Sequence, residues 1–256
     1  MCGLAGIVYL DDQKVDAGVL RRMTDIQRHR GPDDQGFYVG NLKTGQGRQL
    51  GFDEVGPISG MSFGVGFNRL SILDLSLAGH QPMVSADGSV IIAFNGEVYN
   101  AFDEVESLKA AGYNFVSRTD TEVVLNMYQH FGLSACLERL NGMFAMCIID
   151  LNQSCIWLVR DRLGIKPLYF WRSAKCILFA SEIKSLLEHD EFQARLHSEN
   201  MHEHLTFRYI SGYQTLLKDV YQVEPGQVVQ IKSDGSVHQQ KYWSIPEGTA
   251  SQIGKA

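Results

Sequence analysis

The 256-residue chain has little of what several large classes of protein require. Its five cysteines are an odd number without metal-type spacing, which disfavours a disulfide framework and a zinc site. No apolar run approaches the roughly 18 residues of a membrane helix, and the N-terminus lacks the basic flank of a signal peptide. The formal net charge is −6, and the sequence contains no run of basic residues. We therefore expect a cytoplasmic protein that binds small molecules or proteins, with no nucleic acid and no membrane as partner.

The chain does have enough apolar residues, 45% of the total, to build a packed core. Residues 2–10 are apolar on both alternating faces, the pattern of a strand that is covered on both sides. Such a strand indicates a layered sandwich. Four cysteines lie within similar apolar patterns, and we interpret them as reduced core residues: Cys136, Cys147, Cys155 and Cys176.

Helical and strand patterns alternate along the rest of the chain. Helices are predicted at 17–29, 102–111, 120–140, 181–188 and 198–207. Strands are predicted at 61–70, 90–94, 143–150, 155–159, 168–171 and 175–180. The stretch 41–60 reads as a long loop or irregular hairpin. Turns are predicted at Asn95-Gly96 and 233–235, and a hairpin around Pro225-Gly226.

Cys2 is the residue with the clearest chemical potential. Removal of Met1 would leave a thiol and a free α-amine on the same residue. The amine, with a pKa of roughly 7.7 to 8.0, can accept the thiol proton near neutral pH without a histidine partner. The alternative is a small buried thiol in a strand, and the first ten residues alone favour that alternative.

Six further segments change this preference in favour of catalysis. They are Arg28–Asp33 (RHRGPD), Arg69–Ile72 (RLSI), Phe94–Asn100 (FNGEVYN), Thr119-Asp120, Arg160–Tyr169 (RDRLGIKPLY) and Ser181–Lys184 (SEIK). In this order, with Met1-Cys2-Gly3, they resemble the glutamine amidotransferase domain of the asparagine synthetase family, a class with an N-terminal nucleophile. The resemblance spans roughly residues 2 to 243, and the ordered matches together are specific where any one is not.

The resemblance implies a role for each matching position. Cys2 is the expected nucleophile, and Asn95 and Gly96 are the expected oxyanion hole, because an amide side chain and a glycine N–H can donate to a developing oxyanion. Arg69 offers a planar cation for the α-carboxylate of glutamine, and the segment Leu70, Ser71, Ile72 and Leu73 is expected to line the pocket. Glu97 and Asp120 are expected at the α-ammonium group. Asp120 could instead serve only to stabilise the helix through its favourable interaction with the helix dipole, and the two roles are compatible.

Three other features receive structural interpretations. Arg30 is expected to shape the pocket or to end a helix, and it is not assigned a catalytic role. The segment 160–169 is interpreted as a salt-bridged structural loop. His202-Glu203-His204 does not have the spacing of a zinc site, so we predict no metal and a solvated helix.

The resemblance also implies a fold, α+β with four αββα layers and two antiparallel sheets, the N-terminal nucleophile hydrolase fold. We assign residues 2–196 to the domain core, 197–245 to a helix and hairpin that complete it, and 246–256 to a linker. The family's ATP-dependent synthetase domain, with its Ser-Gly-Gly-x-Asp-Ser loop, has no counterpart here, since the sequence has no Gly-Gly pair. No cofactor is expected in this chain, and ATP and Mg²⁺ are expected only for that domain.

The leading hypothesis is therefore a glutaminase domain that hydrolyses L-glutamine through a Cys2 thioester and supplies ammonia to a synthetase domain for amidation of a carboxylate such as aspartate. Phosphoribosyl and hexosamine-forming amidotransferases share the nucleophile but lack these signatures. The alternative from another class is a non-catalytic glutamine-binding or scaffolding module that regulates a synthetase partner. A homodimer is compatible with the sequence.

Overall fold

Two antiparallel sheets stack between helices in the computed structural model, which describes residues 1–11 and 14–246. The strands are β1 (Gly3–Tyr9), β2 (Asp34–Asn41), β3 (Gln46–Gln49), β4 (Phe63–Arg69), β5 (Met83–Val84), β6 (Val90–Val98), β7 (Gly142–Asp150), β8 (Cys155–Arg160), β9 (Tyr169–Arg172), β10 (Cys176–Ala180), β11 (Val220–Gln222), β12 (Gln227–Lys232) and β13 (Val237–Lys241). The helices are α1 (Ala17–Asp25), α2 (Val105–Ala110), α3 (Asp120–Arg139) and α4 (Ser198–Phe207), with 3-10 turns at Arg28–Arg30, Leu77–Gly79, Ala101–Glu104 and Ile183–Glu188. This architecture confirms the predicted αββα sandwich.

The strand order places the start of β1 in the interior of the first sheet. That sheet has the order β11-β9-β10-β1-β4-β2-β3, and the second has the order β13-β12-β8-β7-β6-β5. Every strand pair is antiparallel. Because β1 is paired on both sides, the residue before it, Cys2, is held between β4 and the end of β10.

Three apolar clusters join the four layers. Residues such as Phe67 from the first sheet and Leu158 from the second fill the space between the sheets. Leu20 of α1 packs on the outer face of the first sheet, and Val124 of α3 packs on the outer face of the second. Strands in the middle of such a stack are buried on both faces, as the apolar sequence of β1 predicts.

Two helix starts follow directly from the local sequence. Asp16 caps α1, where its Oδ1 accepts from the N–H of Val19 at 3.0 Å. Thr119 caps α3, where its Oγ1 accepts from the N–H of Glu122 at 3.2 Å. The Glu122 carboxylate accepts from the N–H groups of Val116 and Ser117 and not from that of Thr119, so a reciprocal capping box does not form.

Several predicted boundaries differ from the structure. The helix predicted over 17–29 ends at Asp25 and is followed by a 3-10 turn. The helix predicted through 140 is interrupted at Gly132, which has a φ of 73°. The stretch 41–60 contains β3, which agrees with an irregular hairpin, but its partner strand β2 was not predicted.

Two predictions of turns are wrong. Asn95 and Gly96 do not form a turn after the strand, because β6 continues through them and pairs them with Ala145 and Phe144 of β7. Pro225-Gly226 does not close a hairpin either. The preceding β11 belongs to the first sheet and the following β12 to the second, so the chain crosses between sheets at this point, and the real hairpin joins β12 to β13.

Some expectations lie outside what the structure describes. Of the predicted linker 246–256, only Pro246 belongs to the described residues. Among the residues that are described, no helix has the length and apolarity needed to cross a bilayer. Glu203 of the His202–His204 segment accepts hydrogen bonds from Ser211, and no group of three or more potential metal ligands occurs in residues 1–11 and 14–246.

Candidate active site

A pocket with about 650 Å³ of empty space, part of it open to solvent, lies where β1, β4 and β6 approach one another. Nine of the ten predicted site residues line it: Cys2, Arg69, Leu70, Ile72, Leu73, Asn95, Gly96, Glu97 and Asp120. Ser71 does not line the pocket, and its N–H donates to Asp33 Oδ2 at 2.8 Å. Residues from both sheets and from the start of α3 therefore converge on Cys2.

The thiol of Cys2 faces the first residue after β4. The N–H of Leu70 donates to Cys2 Sγ at 3.3 Å, and the thiol contacts the Leu70 carbonyl oxygen at 3.7 Å. Burial raises the pKa of the Cys2 thiol, although the Leu70 N–H, the chain's terminal amine and the charges of Arg69 and Arg30 act in the opposite direction. The thiol therefore needs a base when it reacts.

The Arg28–Asp33 segment holds Cys2 and the end of β4 in place. A Cβ at Gly31 would clash with the backbone of Asn68, so glycine permits the close approach. The N–H of Asp33 donates to the Arg69 carbonyl at 3.1 Å. Arg30, which is 9% exposed, donates from Nε to the Cys2 carbonyl oxygen at 2.9 Å. The motif thus packs against both Cys2 and the end of β4.

Asn95 presents an unsatisfied donor at the pocket. The residue is 1% exposed, and its Nδ2 has no hydrogen-bond partner among the described residues. A buried amide without a partner is costly, and such atoms are rare in folded proteins. Gly96 cannot carry a side chain, because a Cβ would clash with the Met143 carbonyl oxygen in β7. The two donors are thus fixed by strand pairing.

Arg69 is buried at the end of β4 and holds the loop that follows it. Its Nη1 donates to the carbonyl oxygen of Ser76 at 3.0 Å, and its Nη2 donates to that of Asp74. Asp74 in turn accepts from the N–H of Arg118 at 2.9 Å, which ties the loop to the segment before α3. A guanidinium has five N–H donors, so Arg69 keeps donors for a ligand.

Two carboxylates occupy another part of the pocket wall. Asp120, at the start of α3, is 5% exposed, and its Oδ2 accepts from the N–H of Val98 at 2.9 Å. Burial raises the pKa of Asp120 to about 6, and the negative charge of Glu97 contributes to the rise. A ligand cation between the two carboxylates would reverse that effect.

Sequence reasoning missed some residues of the pocket wall, including Gln81, Thr121 and Lys166. The Gln81 side chain accepts from the N–H of Phe94 at 2.6 Å and donates to Thr121 Oγ1 at 3.2 Å, so it braces β6 beside Asn95. Lys166 is 8% exposed. Its presence in the RDRLGIKPLY segment was the available signal, but that segment was given only a structural role.

The 160–169 segment is structural, but salt bridges do not hold it. Arg160 donates to the carbonyl oxygens of Lys166, Val223 and Gly164 at 2.7, 2.7 and 2.6 Å. The Asp161 carboxylate accepts from backbone N–H groups, including that of Lys166 at 3.0 Å. Hydrogen bonds between buried charged side chains and backbone groups take the place of the expected surface ion pairs.

Comparison with known proteins agrees with this geometry. Residues 43–243 match the family model described as "Glutamine amidotransferase domain". The chain is 33% identical over 246 residues to asparagine synthetase [glutamine-hydrolyzing] 1 of Bacillus subtilis, with 95% of this chain and 35% of the relative covered. It is 38% identical over 194 residues to asparagine synthetase [glutamine-hydrolyzing] 2 of the same organism, with 74% and 22% covered. The chain spans about a third or less of the length of these two relatives.

Solved structures support the same fold. Glutamine phosphoribosylpyrophosphate amidotransferase from Bacillus subtilis superimposes with a TM-score of 0.65 at 17% identity, covering 94% of this chain and 49% of that one. A glutamine aminotransferase class-II domain protein from Silicibacter pomeroyi gives 0.51 at 12% identity, covering 94% and 99%. At these identities the likeness concerns the fold alone. The family match and the curated relatives together show that this chain belongs to the glutamine amidotransferase domain family, class II.

Proposed function

We propose that this domain hydrolyses the side-chain amide of L-glutamine through a thioester on Cys2. The observation that carries the proposal is the unpartnered amide of Asn95, buried in the same pocket that the Cys2 thiol lines. A donor left without a partner at a reactive thiol is suited to an oxygen that becomes anionic during the reaction. The cost of leaving it unpaired is recovered when that oxygen arrives.

The charged residues of the pocket suit the two charged groups on the α-carbon of an amino acid. Arg69 would bind the α-carboxylate with its remaining donors, as a planar guanidinium does well. Glu97 and Asp120 would bind the α-ammonium group. Leu70, Ile72 and Leu73 would line the wall beside these groups. Glutamine held at its α-carbon would extend its amide toward Cys2 and Asn95.

The reaction would proceed in two steps with a mature chain that begins at Cys2. The α-amine takes the thiol proton, sulfur attacks the amide carbon, and Asn95 Nδ2 and the Gly96 N–H stabilise the oxyanion. The C–N bond then breaks, the proton passes to the leaving nitrogen as ammonia, and a glutamyl thioester remains. Water attacks this thioester with the amine again as base, which releases glutamate and regenerates the thiol. No histidine lines the pocket among its described residues. The α-amine would serve as the base because it lies on the same residue as the thiol.

The ammonia would serve a larger enzyme. Two of the relatives are named glutamine-hydrolysing asparagine synthetases, and this chain covers only part of their length. We propose that an ATP- and Mg²⁺-dependent synthetase segment, as the resemblance implies, uses the ammonia to amidate an activated carboxylate such as that of aspartate. The chain described here would contribute the hydrolysis half-reaction.

The test is glutamate release by the purified domain, after intact-mass measurement confirms that Met1 has been removed. Wild type should release glutamate and ammonia in equal amounts, and Cys2→Ala should lose activity by about 10³-fold or more. A glutamine-derived diazo-ketone should add to Cys2 in wild type only. Equal activity in Cys2→Ala, or no activity in correctly processed wild type, would contradict the proposal.

Retention of Met1 would favour the alternative of a non-catalytic binding module. Met1 lines the pocket beside Cys2 in this structure, and Arg30 Nη2 lies 4.0 Å from its sulfur. If Met1 is retained, the amine of Cys2 is blocked and cannot act as base. Glutamine binding without hydrolysis by a chain whose mass includes Met1 would support this alternative.

A further inference from the structure

The Ser181–Lys184 segment has no assigned role in the proposed reaction, yet it lies directly beside the nucleophile. Ser181 follows β10 and is bound to β1 in two ways. Its N–H donates to the Leu4 carbonyl at 2.9 Å, and its Oγ accepts from the Leu4 N–H at 3.1 Å. Ser181 is fully buried, so these bonds fix the next residue, Glu182, close to the start of β1.

Glu182 has three nitrogen partners at this position. Arg30 Nη1 lies 2.9 Å from Glu182 Oε1, His29 Nε2 lies 3.1 Å from the same oxygen, and Lys184 Nζ lies 3.1 Å from Oε2. Burial pushes the pKa of Glu182 upward, but the hydrogen bonds from Arg30, Lys184 and His29 outweigh burial and hold its pKa below the usual range. Glu182 therefore keeps its negative charge at neutral pH.

Arg30 connects this carboxylate to the nucleophile. One edge of its guanidinium, Nε, donates to the Cys2 carbonyl oxygen at 2.9 Å, while Nη1 pairs with Glu182. The Arg30 side chain is 8% exposed, and Glu182 is the carboxylate within 4 Å of it among the described residues. A buried guanidinium without its counter-charge would move toward water, and its bond to Cys2 would be lost.

We propose that Glu182 is a positioning residue for the nucleophile, acting through Arg30 on the carbonyl of Cys2. This inference rests on the proposed role of Cys2 in glutamine hydrolysis. Fixing the carbonyl sets the rotation of the Cys2 main chain, and this rotation aims both the thiol and the α-amine into the pocket. A displacement of a reacting group by about 1 Å can lower a rate by about 10²-fold.

The proposal makes a distinctive kinetic prediction for Glu182→Gln. The substituted amide keeps the size of the side chain but removes the charge that holds Arg30. We expect kcat for glutamine hydrolysis to fall by about 10- to 100-fold. KM should stay within about twofold of wild type, because the residues proposed to bind the α-carboxylate and α-ammonium groups of glutamine are unchanged. Glu188→Gln is the matched control, since Glu188 ends the 3-10 turn that Glu182 precedes and pairs with the half-exposed Arg22 at 3.8 Å. Its kcat and KM should equal those of wild type.

A double-mutant cycle separates positioning from a general structural effect. Arg30→Met should lower kcat at least as much as Glu182→Gln, and the double variant should be no slower than Arg30→Met alone. If the two effects multiply, Glu182 does not act through Arg30 and the proposal is wrong. If Glu182→Gln does not fold, Glu182→Asp keeps the charge but shortens the reach by one methylene. It should show the same fall in kcat at constant KM, and wild-type kcat in that variant would also contradict the proposal.

The controls keep this proposal distinct from the proposed function. An inactive wild type, or an active Cys2→Ala, contradicts glutamine hydrolysis by Cys2 and this inference with it. An active wild type with an inactive Cys2→Ala and a fully active Glu182→Gln contradicts the positioning role alone.

Discussion

At the residue scale, Cys2 differs from the other cysteines in its access to the pocket. Burial raises the pKa of Cys136 to about 12 and that of Cys155 and Cys176 to about 11, and these residues are at most 1% exposed. Cys2 is only partly buried, and its thiol meets a backbone N–H and an open pocket. Its reactivity would therefore depend on the adjacent amine at the moment of attack, since the resting thiol is protonated.

Asn95 offers the sharpest test of an oxyanion hole. Asn95→Ala removes the unpartnered Nδ2, and we expect kcat for glutamine hydrolysis to fall by about 10²- to 10³-fold with little change in KM. Steady-state glutamate release measures both values. Asn126→Ala is the matched control, because Asn126 is also buried with an unpartnered Nδ2 but lies on α3 outside the pocket. A similar loss of kcat in both variants would show a general structural effect.

Asp120 should make glutamine binding depend on pH. Because its pKa is about 6, Asp120 carries its charge at pH 7 and is mostly protonated at pH 5. In a Cys2→Ala background, which prevents turnover, the Kd for glutamine should rise about tenfold between pH 7 and pH 5. Calorimetric titration measures this directly. Asp120→Asn in the same background should bind more weakly and lose most of the pH dependence. An unchanged profile in that variant would assign the titration to another group.

Glutamine binding favours the charged form of Asp120, whereas folding should favour its neutral form. The pKa of Asp120 is raised from 3.8 to about 6 in the folded state, so the native protein holds the proton more tightly than the unfolded chain does. Its contribution to stability is therefore lost as pH rises through about 4 to 6 and stays lost above. Relative to wild type, Asp120→Asn should gain up to about 3 kcal/mol of unfolding free energy between pH 4 and pH 7. Urea denaturation at both pH values measures the difference, and a constant difference would contradict it.

The residue types at the pocket could be inferred from the sequence, but its supporting residues could not. Cys2, Arg69, Asn95 and Asp120 occur in recognisable short motifs, and the structure brings them together. Gln81 occurs in no such motif. It reaches the pocket because its side chain bonds the backbone of Phe94, a residue of β6 that is 13 positions away in the sequence. Contacts of this kind depend on tertiary pairing, which periodicity does not reveal.

At the element scale, the loop between β4 and β5 should control substrate affinity. Arg69 holds the carbonyls of Asp74 and Ser76, and a Cβ at Gly79 would overlap the Arg69 guanidinium. Gly79→Ala should therefore displace Arg69 and raise KM for glutamine by about tenfold or more, with a smaller effect on kcat. Steady-state kinetics over a wide glutamine range measures this. In Gly51→Ala, the control, the nearest atom to the new Cβ is 3.4 Å away in the exposed Glu54 side chain, and KM should not change.

Elements with a strong hydrophobic periodicity were predicted from the sequence. Elements that depend on pairing with neighbouring strands were not. The hairpin of β7 and β8 follows from two apolar runs joined by four residues, of which three are polar. The strand β2 was missed because Gly36 and Gly40 interrupt its apolar pattern, yet its neighbours β3 and β4 complete it on both sides. Asn95-Gly96 has the composition of a turn, but full pairing with β7 keeps it extended. In each error, tertiary pairing overrides local preference.

At the scale of the whole molecule, the loop from β8 to β9 connects the two sheets beside the pocket. Arg160 is the last residue of β8 and is 5% exposed. Its Nε, Nη1 and Nη2 bond carbonyls in its own loop and at Val223, where the chain crosses back from β11 to β12. One buried side chain therefore fastens both crossings. It also holds the backbone of Lys166 at the wall of the pocket.

Arg160→Met tests whether this junction is important for the stability of the whole sandwich. Methionine retains most of the apolar stem but leaves three carbonyls, two of them in buried hydrogen bonds, without their charged donor. Each buried carbonyl left without a donor costs about 1–3 kcal/mol. We expect the unfolding free energy to fall by at least about 3 kcal/mol in urea denaturation, with a lower Tm. Arg172→Met is the control, because Arg172 is exposed and makes a single 3.2 Å bond to the Gly235 carbonyl. It should change stability by less than about 0.5 kcal/mol. A loss at Arg160 no larger than that at Arg172 would mean that the two crossings are held by the strands alone, and that the buried charge is dispensable for the fold.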